Sequence, residues 1–432
     1  MTVTAGSTAS EGSIDFFALA TSAEFHDDPY PWYHRLRSSD PVHETPFGVW
    51  LLTRHADVAA AVRDPRLSND PRNAAAHRAH NRGPTGRDAI DEGVMLFVDP
   101  PDHTRLRGLV SRAFTPRRTE QLRIRVGELV DGLLDAAATR GDGRIDVVDD
   151  LAYPLPLVVI CELLGVPAAD HAVFQGWSQV LAASIDPAAL KTPEQEATAA
   201  ATGAEFSAYL VELIEQRRGS PGDDLLSALI AAEQDGDRLS QVELVNTALF
   251  LLVAGHETTV NLIGNGLLAL LRHRDQLDRL LADRSLDRPA VDELLRYESP
   301  VQNTQRITRA EHRIGDVVIP AGMRVVPMLG AANRDPAAFA DPDRLDLGRP
   351  EAGRHVAFGG GPHYCLGASL ARLEGEIAIG TVVRRFPELD LAGEPVRRQT
   401  FTLRGLAHLP VDLGPDRRPS SEPEGPSEPS GP

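Results

Sequence analysis

Apolar residues recur along most of this chain at the three-and-four spacing of buried helix faces, and only short stretches alternate as strands do. Residues 27–37 predict a short helix after a proline-rich start. Residues 41–53 predict a strand or hairpin carrying Val42, Val49, Trp50, Leu51 and Leu52, and residues 55–63 a small Ala/Val helix. Amphipathic segments follow at 117–139, 149–164 and 168–184. Residues 188–218 form another helical region, interrupted near Thr192-Pro193 and closed by Gly219-Ser-Pro-Gly222. The longest pattern, 239–271, corresponds to a helix of roughly 50 Å with Ser240 as its N-cap. Beyond it, 301–308 reads as a strand, and 317–322 with 323–327 as a hairpin around Pro320-Ala321-Gly322. A meander rich in Asp, Pro and Arg starts at Ala331 and ends at Phe358. Helical spacing then resumes at Leu366, Leu370, Ala371, Leu373, Ile377 and Ile379, and short strand-like pieces occupy 387–413. The pattern predicts a mainly α chain with small β-sheets, an α+β fold.

Length changes this picture little: 432 residues suit two or three domains or one compact helical unit. We expect a flexible start at 1–20, one domain over 21–413, and a disordered Pro/Ser/Glu-rich tail at 414–432. The formal net charge of -18 argues against a nucleic-acid partner. The N-terminus shows no basic and apolar leader, and the longest apolar run, 248–254, falls far short of the about 20 residues that cross a bilayer. Cys161 and Cys365 lie in unlike contexts and suggest no disulfide, which fits a reduced cytoplasmic setting. Residues 72–93 form a polar loop rich in Ala, Arg, His and Gly.

Candidate chemistry is concentrated in four places. The first is Phe358-Gly-Gly-Gly-Pro-His-Tyr-Cys365-Leu-Gly-Ala-Ser-Leu-Ala-Arg372. Glycines and a proline make a rigid loop running into a helix, with Cys365 expected in that helix's first turn. Free N–H groups and the positive end of the helix dipole favour a thiolate there. Such a thiolate can be a nucleophile with His363 as base, a redox sensor or a metal ligand; a buried structural cysteine is the plain alternative. Cys161, inside Leu157-Val-Val-Ile-Cys-Glu-Leu-Leu164, reads as core. The second place is Asp99-Pro-Pro-Asp-His103-Thr-Arg-Leu-Arg107. A helix from Asp102 puts His103 and Arg107 on one face, able to grip one anion, unless the run is simply a solvated basic helix. The third is Ala254-Gly255-His256-Glu257-Thr258-Thr259, midway along the longest helix. Gly255 weakens a helix by about 1 kcal/mol relative to alanine, Glu257 adjoins the most apolar run, and both threonines can bond back to carbonyls. So many unfavourable choices in a row suggest a functional kink, or else a watery bend with Glu257 reaching solvent. The fourth is Glu293-Leu-Leu-Arg296, which alone would be a surface pair of little weight.

Phe358, Gly361, Cys365 and Gly367 fit Phe-x-x-Gly-x-x-x-Cys-x-Gly, and the stretch resembles the haem-binding loop of the cytochromes P-450. The other three places, with Asp346-Leu-Gly-Arg349, are similar to that family's further elements in order, over about residues 25–412. The resemblance implies a triangular helical prism with haem b between the long central helix and the helix after the cysteine loop. It makes Cys365 the axial thiolate that pushes electron density toward the iron. His103, Arg107, Arg306 and His363 would bind haem propionates, and Ala254, Gly255, Phe358, Gly359 and Gly367 would line the haem. Thr258 would supply a hydrogen bond and Glu257 a proton relay to dioxygen. Glu293, Arg296 and Arg349 would form a structural ion-pair triad, with Arg344 as rival third member.

The implied activity is a monooxygenase fed by NAD(P)H through a ferredoxin and ferredoxin reductase, for which Arg112, Arg117, Arg118 and Arg372 are candidate docking cations. Substrate contacts are implied for 72–95, 181–192, 301–303 and 401–402, beside Leu251, Val253 and Ala254. That setting suits an apolar secondary metabolite, free or carrier-bound. A peroxide-driven oxygenase, a non-catalytic haem sensor and a cysteine hydrolase are the rivals; the Glu257–Thr258 pair favours the dioxygen route.

Overall fold

The computed structural model describes residues 19–75 and 93–417, apart from 114, 142, 188–189 and 235–236. Expectations for residues 1–18, 76–92 and 418–432 therefore lie outside the described residues.

The architecture turns on one helix, Gln241–Arg272, which runs for 32 residues. Ser240 Oγ accepts from Glu243 N (3.2 Å) while the Glu243 carboxylate accepts from Ser240 N (2.8 Å), a reciprocal cap that fixes its start. Most of its residues from Leu244 to Leu271 are buried, as a helix apolar on all sides must be. Helices Pro154–Leu164, His171–Ala183, Pro193–Gly219, Asp287–Tyr297 and Ala368–Arg385 pack around it. Two apolar clusters share this central helix. One joins Val260 to Leu271 with helices Arg123–Ala138 and Ala368–Arg385. The other joins Leu244 to Val253 with Asp102–Ala113, Pro154–Leu164 and Pro193–Gly219. The seam between them falls at residues 254–259, the polar stretch of the sequence.

A five-stranded sheet flanks the helices in the order Val42–Glu44, Val49–Leu52, Arg324–Pro327, Arg306–Thr308, Leu67–Ser68. Val49–Leu52 and Arg324–Pro327 run parallel, with Val325 opposite Trp50; the remaining neighbours are antiparallel. The expected hairpin around Pro320-Ala321-Gly322 does not form. Gly315 (φ +57°) turns Val317–Ile319 back onto His312–Ile314 instead, and Arg324–Pro327 leaves for the larger sheet. The strand expected over 301–308 is confined to Arg306–Thr308, because Gln302 N is committed to Thr402 O (2.9 Å) and Val301 bridges Leu403.

The helices also break where prolines and caps dictate. Residues 117–139 divide into Pro116–Gln121 and Arg123–Ala138. Residues 149–164 divide into a π turn, Val148–Ala152, and a helix whose first residue is Pro154, which has no N–H to extend the earlier turn. Thr192-Pro193 starts a helix and does not interrupt one: Thr192 and Gln195 cap each other reciprocally. Packing reaches slightly past both expected ends. Leu19 and Ala20 join a cluster with Phe25 and Tyr33, and Asp416 pairs with Arg385 at 2.7 Å. Among the described residues no helix is long and apolar enough to cross a membrane.

Glu293 and Arg296 are fully buried and joined twice, Nε to Oε2 at 2.7 Å and Nη2 to Oε1 at 2.8 Å. Arg349 Nε donates to Glu293 Oε1 at 3.1 Å. Arg344 is exposed and offers its carbonyl to both arginines, so the third member is Arg349. The cluster ties helix Asp287–Tyr297 to the meander that delivers the cysteine loop.

Candidate active site

Cys365 does not occupy a first helical turn. Helix Ala368–Arg385 starts three residues later with Gly367 as N-cap, and Cys365 sits in the turn before it. The loop folds back on itself there, because Cys365 N donates to Phe358 O at 3.0 Å. Gly361 makes this possible: its φ is +64°, and a Cβ on it would fall 2.9 Å from Arg63 Cα and 3.0 Å from Val62 O. The loop therefore lies flat against the end of helix His55–Ala61. Depth in the molecule pushes the Cys365 thiol up, while the Gly367 amide, Arg107 and Arg372 pull it down. Depth is not packing, however: the side chain is exposed, so the sulfur opens onto space within the fold. Cys161 is buried, its thiol pushed up to about 12 by burial, and it belongs to the core.

His103 and Arg107 share one face of Asp102–Ala113, and the fold brings His363 and Arg306 to them. The His103 and His363 rings lie 4.0 Å apart between centroids. Burial, then His103, Arg306 and Arg107, lower His363 to about 3. Burial lowers Arg306 to about 10, and it lowers His103 and Arg107 as well. Arg306 donates to the neutral acceptors Gln305 O (2.8 Å) and Thr304 Oγ1 (3.3 Å). Among the described residues none of the four is ion-paired to a carboxylate, and His103 Nε2 is buried without a partner. Buried basic groups left so are costly unless an anion completes them. The two propionates of a haem would be such anions, and the open thiol beside Arg107 is a donor its iron could take; the residues fit the group.

Across the seam, the backbone stays helical through residues 254–259. Thr258 Oγ1 donates to Ala254 O (2.8 Å) and Thr259 Oγ1 to Gly255 O (3.1 Å); the hydroxyls supplement the backbone bonds and do not replace them. Phe250, Ala254 and Thr258, four apart, are only half-buried, as is Gly255, and they mark one open strip on an otherwise packed helix. Glu257, one step round the helix, does not reach solvent. It is buried and ion-paired with Arg398. The pair is a charge contact, since neither carboxylate oxygen receives a well-directed N–H.

Two residues escaped the sequence reading. Arg398 follows strand Val396–Arg397, about 140 positions from Glu257, a pairing that no local pattern announces; its Nε donates to Leu406 O at 3.1 Å. Glu374 could have been found, because it falls on the apolar face of its helix between Leu370 and Ile377. Burial pushes it up to about 8, with the Thr259 hydroxyl acting the other way.

Three of the segments expected to touch substrate converge. Asp186 accepts from Phe401 N (3.0 Å) and Thr402 N (2.7 Å), and Thr402 O holds Gln302 N. Leu251 and Val253 are buried in the second apolar cluster. Of the expected docking cations, Arg372 is engaged internally, with Nε 2.8 Å from Asp292 Oδ1 and the guanidinium 4.6 Å over the Phe358 ring; Arg117 is exposed.

Comparison with known proteins agrees with this geometry. The chain is 48% identical over 402 residues to vitamin D(3) 25-hydroxylase of Pseudonocardia autotrophica, covering 91% of this chain and 96% of that one. It is 47% identical to the cytochrome P-450 monooxygenase PikC of Streptomyces venezuelae, covering 94% and 95%. A solved structure of P-450 BioI, in complex with an acyl carrier protein ligated to hexadec-9Z-enoic acid, superposes with a TM-score of 0.84 at 37% identity, covering 91% and 100%. The family model named cytochrome P-450 matches residues 66–408. The chain is therefore a haem-thiolate monooxygenase and belongs to the cytochrome P-450 family.

Proposed function

We propose that this monooxygenase inserts one oxygen atom of O2 into an apolar secondary metabolite, with electrons arriving from NAD(P)H through a ferredoxin and its reductase in the cytoplasm. The observation that carries the reading is the convergence of His103, Arg107, Arg306 and His363, none of them ion-paired to a carboxylate among the described residues, beside the open thiol of Cys365. Those residues would hold haem b, which when bound supplies dioxygen binding and reductive cleavage.

The remaining work falls to the chain. Burial holds the Cys365 thiol up; the Gly367 amide and the positive charges of Arg107 and Arg372 oppose it and would favour the thiolate once a cation is bound beside the sulfur. Thr258 has its proton directed at Ala254 O, which leaves its lone pairs free to hold a water or a substrate oxygen at the open strip. Arg398 is the ion-pair partner of Glu257 and holds its carboxylate in place on the central helix one residue before Thr258, where it can pass a proton inward. Glu374, kept neutral near pH 7, adds a second proton store behind Thr259. Arg117 offers an exposed positive site for an acidic ferredoxin.

An apolar substrate is supported by Phe250 and Ala254 on the half-buried strip of the central helix and by the relative named for hydroxylating vitamin D(3). The test is a spectral-shift screen of the holoprotein with secosteroids, macrolactones and free or carrier-bound fatty acids. A free apolar ring compound should expel water from the iron and shift the Soret band at micromolar concentration. A shift with carrier-bound chains alone would replace the substrate class proposed.

A further inference from the structure

Ser178 is the polar exception on helix His171–Ala183. The buried positions of that helix are Phe174, Ser178 and Ala182, four apart, so Ser178 stands mid-way along its inner face. Its Oγ lies 2.7 Å from His256 Nδ1, and both side chains are fully buried. The other ring nitrogen, Nε2, lies 3.1 Å from Tyr153 O. A carbonyl can only accept, so Nε2 carries the hydrogen, Nδ1 is bare, and the Ser178 hydroxyl donates to it. Burial keeps the ring neutral. Tyr153 adds a second tie: its hydroxyl donates to Gln175 O at 3.2 Å, and its ring meets that of His256 edge-on at 4.4 Å. The helix is therefore fastened at Gln175 and Ser178, close to one turn apart. One fastening reaches the central helix beside Gly255 and two residues before Thr258.

An apolar pair at 178 and 256 would fill the same space without demanding a direction. A buried hydrogen bond gives a modest net gain when made and a larger loss when one partner is stranded. It thereby selects one docked register and disfavours slipped ones. We propose that His256 is a positioning residue: through Ser178 it holds helix His171–Ala183 docked against the substrate site and sets how long a bulky occupant stays. The proposal rests on the reading of the Ala254–Thr258 strip as a wall of that site.

The test compares holoprotein with Ser178→Ala, and with His256→Phe, which keeps a flat ring and loses both hydrogen bonds. Clotrimazole, bulky, and imidazole, small, are displaced in a stopped-flow instrument and followed by the Soret band; hydrogen exchange is mapped in parallel. Clotrimazole should leave several-fold faster from both variants, with imidazole little changed and faster exchange confined to residues 171–183. If His256→Phe does not fold, Ser178→Ala decides. Wild-type clotrimazole dissociation from folded Ser178→Ala would overturn the proposal. So would equal acceleration of both azoles with exchange raised across the whole chain, which is loss of stability alone. A wild-type protein whose Soret band neither azole shifts would sink the haem reading beneath it as well.

Discussion

The cysteine side and the central-helix side of this site treat charge in opposite ways. On the first, four basic groups gather with no carboxylate ion-paired to them among the described residues, Asp99 acting on His103 and Arg306 only from a distance, and His103 Nε2 has no partner. On the second, both carboxylates are already accommodated: Glu257 faces Arg398, and Glu374 is shifted toward its neutral form. Groups that hold a charged cofactor can be left incomplete, because the cofactor completes them. Groups that handle protons must be set before any ligand arrives, since their own charge state is the working part.

The largest expected effect isolates the first side. Cys365→Ser should still take up haem through the cradle yet lose all turnover and the thiolate spectrum; retained turnover would show that the sulfur is dispensable. Next comes the scaffold common to both sides. Glu293→Ala strands two buried guanidinia and should cost about 3–5 kcal/mol in urea unfolding, with haem loss on mild heating. On the second side, Thr258→Ala should cut product about a hundred-fold while NAD(P)H oxidation continues and ends as hydrogen peroxide; tightly coupled product formation would remove the role given to Thr258.

Glu374 gives a pH test of the same side. Its folded pKa of about 8 lies above an ordinary carboxylate's, so the folded state holds a proton that the unfolded chain releases. Stability should therefore fall by up to about 1.4 kcal/mol per pH unit as pH rises from about 4.5 toward 8, and level off above it. Glu374→Gln should abolish that slope, and parallel curves for the two proteins would contradict it. The smallest effect is expected of Arg398→Gln, a several-fold drop in the share of electrons reaching product, with substrate affinity unchanged.

The cysteine side was legible because its residues are close in sequence or set by local rules: four-apart spacing for His103 and Arg107, glycines ahead of Cys365. Even there the fine placement was missed, since the Phe358–Cys365 bond ends the loop before the helix begins. The central-helix side was half legible. Glu257 and Thr258 stood out as poor choices on an apolar helix, but Arg398 comes from a strand brought near only by folding. Strand pairing fared worst, because Val317–Ile319 and Arg324–Pro327 look like partners until Gly315 gives the nearer turn.

The account depends most on an anionic sulfur at the iron, and the dithionite-reduced holoprotein under carbon monoxide reports on that directly. A Soret band strongly shifted to the red, absent in Cys365→Ser, is the predicted result. A band at the position given by a neutral nitrogen or thiol ligand in freshly prepared, folded protein would contradict it.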